Sequence, residues 1–354
     1  MSNKKIVFLT PTFSRGGAEK NILNIINSLD NTFAITLIVC TSDIEYTQWI
    51  NKDIDLIVLN KNSVSKSIPK IIKYILSIRP QIVFTSALHL AVPILFYRLF
   101  TRLPFIKITR IPSLPSNKLE VKSKAWISKF LEKGINLSDV IIAQSDEMNR
   151  EIVSFYNCES SKVITIGNLV DTNSIFKAAE EKVILSNNFN FLGSGSLYSV
   201  KGFDLLLKAF KLHLQYYPSD QLYILGKESV EKNYEEFLKK LALDLGISNS
   251  VQFLGHQSNP YPYYKQTDAF VLSSIKEGMP NVVLENIALG TPVLVTNCIN
   301  FESIIKPNQG LIIEKNSVSA LCKGLKEIRN FKRYTSEVNN FDYNGWFTSL
   351  LQKH

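Results

Sequence analysis

The sequence predicts an α/β chain built from two doubly wound domains that face each other across a cleft. Three observations carry that reading. Short β-branched runs alternate with helical patterns along the chain, the mark of parallel sheets covered by helices on both faces. The alternation runs, pauses and then runs again. Each half opens as strand, glycine loop and helix, "IVFLTPTFSRGGAEK" in the first and "FNFLGSGSLYSVKGFDLLLKAF" in the second. Length agrees, because 354 residues exceed what one core serves and divide into two domains of about 150–180 residues.

In the first half, strands are expected at 5–9, 34–39, 55–59, 81–85, 105–109, 139–143 and 162–166. The helix expected over 18–29 shows how the intervening elements are recognised: Ile22, Ile25, Ile26 and Leu29 form one stripe, while Lys20, Asn24 and Asn27 lie elsewhere. The stretch "GNLVDTNSIFKAAEEK" has no strand periodicity and reads as a linker. Strands resume at 190–193, 222–225, 251–254, 269–272, 292–295 and 311–313. The boundaries that follow are an N-terminal domain over 1–168, a linker over 169–185 and a second domain over 186–335. A final helix within 336–354 has Trp346, Phe347, Leu350 and Leu351 to pack beyond its own last strand, with the N-terminal domain as the candidate surface.

Composition excludes several classes. With 45% hydrophobic and 20% charged residues the chain is globular rather than disordered. The apolar run Leu90–Tyr97 contains a proline and stops at Arg98, short of the roughly 20 residues that a membrane span needs. The apolar run ahead of Pro11 is too short for a secretory signal, so a cytoplasmic protein is expected. Cys40, Cys158, Cys298 and Cys322 lie far apart, which suggests neither a disulfide framework nor a zinc site. No histidine pairs at helical spacing with a nearby carboxylate, against a metal hydrolase. Lys and Arg outnumber Asp and Glu 40 to 31, a net +9 that attracts phosphates, acidic lipids or nucleic acid. Nine of the cations fall between Arg98 and Lys133, against only Glu120 and Glu132. The excess is local.

Ligands of open α/β sheets bind beyond the carboxyl ends of the strands. Gly16 and Gly17 stand at a helix start, where they make either an anion seat or merely a tight turn. Lys201 immediately precedes the apolar helix that starts at Phe203; it is either solvated or aimed at an anion over that helix N-terminus. In "EGMPNVVLENIALGTPVLVT", Glu277 lies in a loop and Glu285 in the first turns of a helix starting near Asn281. Helical side chains lean toward the N-terminus, so both carboxylates can face one ligand with the amides of Asn281 and Val282 between them. Such a set suits a polyhydroxyl group joined to a phosphate. Alternatively, Glu285 only complements the helix dipole and Glu277 is a surface residue. His256, after a strand, is either a contact to a base or a surface histidine.

The ordered segments "GGAEKNILNI", "GNLVD", "GSLYSVKGFDLLLKAF", "NPYPYYKQTDAFVLSS" and "EGMPNVVLENIALGTPVLVT" closely resemble glycosyltransferase family 4, retaining enzymes of the GT-B fold. The tyrosine-proline segment is similar to bacterial enzymes of capsule, O-antigen or lipid-linked oligosaccharide synthesis. The resemblance covers nearly the whole chain and is most specific at Glu277 and Glu285. It implies two facing Rossmann-like doubly wound domains with an interdomain cleft. It also implies that Glu285 binds the donor ribose, Glu277 lies by the transferred sugar, Lys201 meets the diphosphate, and Gly17 faces the cleft. Gly195, Ser196, Gly226, His256, Gly278, Met279, Pro280, Asn281 and Val282 complete the implied donor site. Gly16 and Glu19, with Lys122, Lys124, Lys129 and Lys133, fall to the acceptor or membrane face.

Two departures from the pattern stand out. Ser196 occupies a position where the family commonly has Arg, and a first-domain His near the reacting sugar is replaced by Arg110, His89 coming too early. The expected catalytic set is therefore Glu277, Lys201 and Arg110. The implied reaction moves a hexose or N-acetylhexosamine from a nucleoside diphosphate sugar, expected to be a UDP-sugar, to a saccharide acceptor on undecaprenyl diphosphate. No cofactor and no metal are expected, since Asp53 and Asp55 lie away from the donor loops. The helix expected in "EVKSKAWISKFLEKGI" has Val121, Ala125, Trp126, Phe130 and Ile135 for an apolar side, flanked by lysines. It reads as an ordinary domain helix by itself; the charge continuing through Arg98, Arg102, Lys107 and Arg110 favours peripheral docking on an anionic inner-leaflet surface instead. Nucleic acid is not an expected partner. A GT-B-type sugar-nucleotide epimerase would not need that basic face, and a two-lobed sugar-binding protein would carry an export signal. A Rossmann dehydrogenase would need a Gly-x-Gly-x-x-Gly loop that neither half has.

Overall fold

A computed structural model describes residues 4–14, 16–101, 104–113, 115, 125–228, 231–336, 338 and 340–353. The chain divides into two compact units, one of Met1–Leu169 with Asn340–His354 and one of Val170–Asn339.

Unit 1 is a seven-stranded parallel sheet of order β3-β2-β1-β4-β5-β6-β7. Its strands are β1 (Lys4–Thr10), β2 (Phe33–Val39), β3 (Asp55–Val58), β4 (Ile82–Thr85), β5 (Ile106–Arg110), β6 (Val140–Ala143) and β7 (Val163–Thr165). The helices are α1 (Gly17–Ser28), α2 (Val64–Ile78), α3 (Leu88–Thr101), α4 (Ala125–Asn136) and α5 (Asp146–Tyr156). Side chains alternate across a strand, and β1 shows the result: Ile6 and Phe8 join the core beneath α1, whereas Val7 and Leu9 join the core beneath α2 and α3. Burial on both faces is why these strands read as continuous apolar runs.

Unit 2 repeats the plan with six parallel strands in the order β10-β9-β8-β11-β12-β13. These are β8 (Asn190–Ser194), β9 (Gln221–Leu225), β10 (Val251–Gly255), β11 (Ala269–Leu272), β12 (Val293–Thr296) and β13 (Gly310–Ile313). Its helices are α6 (Thr172–Ala178), α7 (Phe203–His213), α8 (Tyr234–Asp244), α9 (Tyr261–Gln266), α10 (Asn281–Ala288) and α11 (Val318–Ile328). The stretch read as a linker belongs to unit 2 from Val170 onward and contains α6, capped by the Asp171 side chain on the Ser174 amide. Buried His213 sits 2.8 Å from Asp220, which also takes Arg329, and this network ties α7 to α11 beneath the sheet.

The last helix, α12 (Tyr343–Lys353), belongs to unit 1. Tyr343 and Phe347 are buried in the α1-side core, Phe347 meeting Phe33 and Phe84 edge-on. Asn344 donates to Asp30 at 2.7 Å at its rim.

Candidate donor site at the unit 2 switch point

In each sheet the strand order reverses once, between β1 and β4 in unit 1 and between β8 and β11 in unit 2. Crevices at such points are where ligands of open sheets sit. The reversal in unit 2 brings two loops together that are 76 positions apart in sequence, one after β8 carrying Lys201 and one after β11 carrying Glu277. The Lys201 ammonium donates to Glu277 Oε1 at 2.5 Å, with the two side chains 18% and 12% exposed. Burial acts to lower the Lys201 pKa, but the facing carboxylate outweighs it and the ammonium is held above its ordinary value. Charge-assisted bonds of this kind are short and strong.

The two loops are also stitched by their backbones. Ile275 N–H donates to Val200 O at 2.8 Å, and Ser273 Oγ donates to Lys201 O at 2.9 Å. Gly202 makes the approach possible: its φ is +64°, and a Cβ there would stand 2.2 Å from Ser273 O. Gly226, at the end of β9, serves the same purpose for Gly195, since a Cβ on it would meet the Gly195 carbonyl at 1.8 Å. Both glycines therefore shape the loop after β8 through packing. Ser196 is exposed beside them.

Glu285 has different neighbours from Glu277. It is 3% exposed in α10, within electrostatic reach of Tyr261 in α9. Burial first, then Glu285 and Asp171, push the Tyr261 hydroxyl well above its usual range. Glu277 is thus tied to the Lys201 loop, and Glu285 lies buried in α10. Gly278, Met279 and Pro280 connect the two, and α10 starts at Asn281 with its opening amides lacking carbonyls one turn earlier. Of these, Val283 already donates to Pro280 O at 3.1 Å. Buried Cys298, following β12, borders the pair; burial and then Glu277 push its thiol up to about 11. Composition gave no hint of that neighbour. His256 is exposed at the end of β10, the edge strand two places from β8, so the sheet order separates it from Lys201 and Glu277.

Unit 1 corrects three expectations. Arg110 is 1% exposed, its guanidinium donating to Asn168 and lying near Tyr343, so it is an internal cation. Burial, its largest influence, lowers its pKa. At the switch point stands His89 instead, exposed at the start of α3 just after β4; only the sheet order identifies it. The helix start at Gly16 and Gly17 is not an open anion seat, because the Glu19 carboxylate folds over it. Thr12 Oγ1 donates to Glu19 Oε1 at 3.0 Å, and a Cβ on Gly16 would lie 1.8 Å from Glu19 Oε2.

Lys107 is fully buried on β5, and burial depresses its ammonium well below the usual range. Arg98 pairs with Asp139 at 2.5 Å and lies over the Phe105 ring. Arg98, Lys107 and Arg110 are therefore absorbed in the fold rather than spread on a face. In α4, Lys129 and Lys133 are exposed and Phe130 is 44% exposed, whereas Ile135 is buried, so Phe130 and Ile135 do not share one apolar side. Arg102, Lys122 and Lys124 lie outside the described residues, as do the side chains of Ala125 and Trp126. No helix among the described residues is long and apolar enough to cross a membrane.

Residues 174–345 match the family model for glycosyl transferases group 1. The chain is a glycosyltransferase, and its likeness to group 1 lies in residues 174–345. It is 28% identical over 278 residues to the uncharacterized glycosyltransferase MJ1059 of Methanocaldococcus jannaschii, covering 72% of this chain and 67% of that one. Over 194 residues it is 28% identical to the Campylobacter jejuni N-acetylgalactosamine-N,N'-diacetylbacillosaminyl-diphospho-undecaprenol 4-alpha-N-acetylgalactosaminyltransferase, covering 53% of this chain and half of that enzyme. In structure it is similar to Anabaena Alr3699/HepE in complex with UDP, with a TM-score of 0.76 at 16% identity over 99% of this chain and 100% of that one. The fold of this glycosyltransferase is GT-B, two Rossmann-like units with seven and six parallel strands.

Proposed function

We propose that this glycosyltransferase moves a hexose or N-acetylhexosamine, with retention of configuration and without a metal, from a UDP-sugar to a lipid-diphosphate-linked saccharide. The observation that carries this reading is the Lys201–Glu277 pair at the unit 2 switch point, a cation and a carboxylate held together beside a helix start. In the reaction the anomeric carbon–phosphate oxygen bond breaks as the acceptor hydroxyl attacks from the same side, and the departing phosphate oxygen takes the hydroxyl proton. Lys201 and the opening amides of α10 stabilise charge growing on the diphosphate, the work that a divalent ion does in other transferases. Glu277 faces the transferred sugar and Glu285 the ribose. The uracil base is favoured by the UDP complex of the Anabaena protein, and the lipid diphosphate acceptor by the Campylobacter relative's name.

We also place the protein on the inner face of the cell membrane. Exposed Lys129 and Lys133 flank the exposed ring of Phe130, a basic and apolar patch suited to an anionic leaflet. Sedimentation with anionic but not neutral vesicles, lost when both lysines become Glu, is the expected outcome; equal binding to both vesicle types contradicts it. The reaction itself is tested by screening UDP-, GDP- and TDP-sugars for released nucleoside diphosphate, with and without a short lipid diphosphate saccharide. Release that depends on the acceptor and survives EDTA is expected. Rearrangement of the donor without an acceptor would point to an epimerase, and activity restored only by Mg²⁺ or Mn²⁺ would remove the metal-free mechanism.

A further inference from the structure

The Lys201–Glu277 pair leaves a difficulty that rests on the function proposed above. Once Lys201 turns to a diphosphate, Glu277 loses the cation that fixes it, and an untethered carboxylate is free to change rotamer. Ser274 supplies a second tether. Its hydroxyl donates to Glu277 Oε1 at 2.7 Å, the same oxygen that Lys201 holds. Ser274 is 1% exposed, and its own carbonyl is fixed by the hydroxyl of Thr296 on β12. The neighbouring Ser273 binds the Lys201 carbonyl, so the serine pair clamps both loops, Ser273 through backbone and Ser274 through the carboxylate.

We infer that Ser274 is a positioning residue for Glu277. It keeps Oε1 in place when Lys201 leaves, so that Oε2 stays directed at the transferred sugar. Oε2 makes no hydrogen bond or ion pair among the described residues. Lys201 and Ser274 thus hold one oxygen together before donor binding, and Ser274 holds it alone once Lys201 turns to the diphosphate.

The test is a double-mutant cycle on the full chain, read as kcat and as KM for the donor. Ser274→Ala is expected to lower kcat about tenfold, the low end for losing one hydrogen bond to a charged group, with KM changed less than about twofold. In a Glu277→Gln background the same substitution is expected to cost little more, because its effect passes through that carboxylate. Ser274→Cys, close in volume and a weak donor, should fall between Ser274→Ala and the parent, and serves if the alanine variant fails to fold. Equal losses of kcat in both backgrounds would mean that Ser274 merely supports the loop and would overturn the inference alone. A parent enzyme that releases no nucleoside diphosphate from any sugar nucleotide would overturn the functional reading and this inference with it.

Discussion

The two switch points share a topology and differ in charge. In unit 1 the loop after β1 leads into α1, and the group folded over that helix start is the carboxylate of Glu19. In unit 2 the loop after β8 leads into α7, and the group beside it is the ammonium of Lys201, paired across to the loop after β11. A carboxylate repels phosphate and accepts bonds from sugar hydroxyls, whereas an ammonium does the reverse. The two switch points are topologically equivalent, and the side chains beside them differ: Glu19 in unit 1, the Lys201–Glu277 pair in unit 2. Under the function proposed above, this difference favours the diphosphate at unit 2 and a neutral saccharide at unit 1.

Removing the unit 2 charges is expected to have the largest effect. Glu277→Ala should lower kcat roughly 10–100-fold and Glu285→Ala should act mainly by raising KM for the donor, since each loses a charge-assisted hydrogen bond. Near-normal kinetics in both folded variants would erase the distinction between the two crevices. A smaller effect is expected from Gly202→Ala, which forces a side chain into a left-handed φ of +64° against Ser273 O. The backbone alone costs about 1–2 kcal/mol, and thermal or urea unfolding should show at least that loss. An unchanged midpoint would show that the two unit 2 loops do not need this close approach.

The smallest effect is expected in unit 1. Burial, the largest influence on Glu19, holds its carboxyl above the ordinary value despite bonds from its own backbone and Thr12. The folded state therefore binds that proton more readily than the unfolded chain, and the ionised form costs stability. The cost is absent below the unfolded pKa of about 4.3 and grows as pH rises through the folded value. Glu19→Gln should accordingly melt slightly above wild type at pH 7, with the difference fading toward pH 4. A variant that melts lower at pH 7 would show that ionised Glu19 stabilises its crevice.

Much of the scaffold was legible because strands buried on both faces, such as Val7–Leu9 and Phe270–Leu272, appear in sequence as bare apolar runs. Glu277 and Lys201 were legible singly, from their loops, but not as a pair. Their contact depends on β8 lying beside β11, which no local pattern encodes. Arg110 was misread for the converse reason: charge shows in a sequence, whereas its burial near Asn168 and Tyr343 requires α12 to return to unit 1. The charges of Lys107 and Arg98 likewise show in the sequence, whereas the burial of the first and the Asp139 partner of the second do not. His89 was passed over because its position counts only once β4 is known to border β1.

The most direct test of the charge division between the crevices is calorimetric titration of UDP into wild type, Lys201→Ala and Glu19→Gln proteins. Wild type is expected to bind, Lys201→Ala to bind at least about tenfold more weakly for want of one charge-assisted bond, and Glu19→Gln to match wild type. Unchanged affinity in Lys201→Ala, or a loss confined to Glu19→Gln, would contradict the assignment of the diphosphate to unit 2.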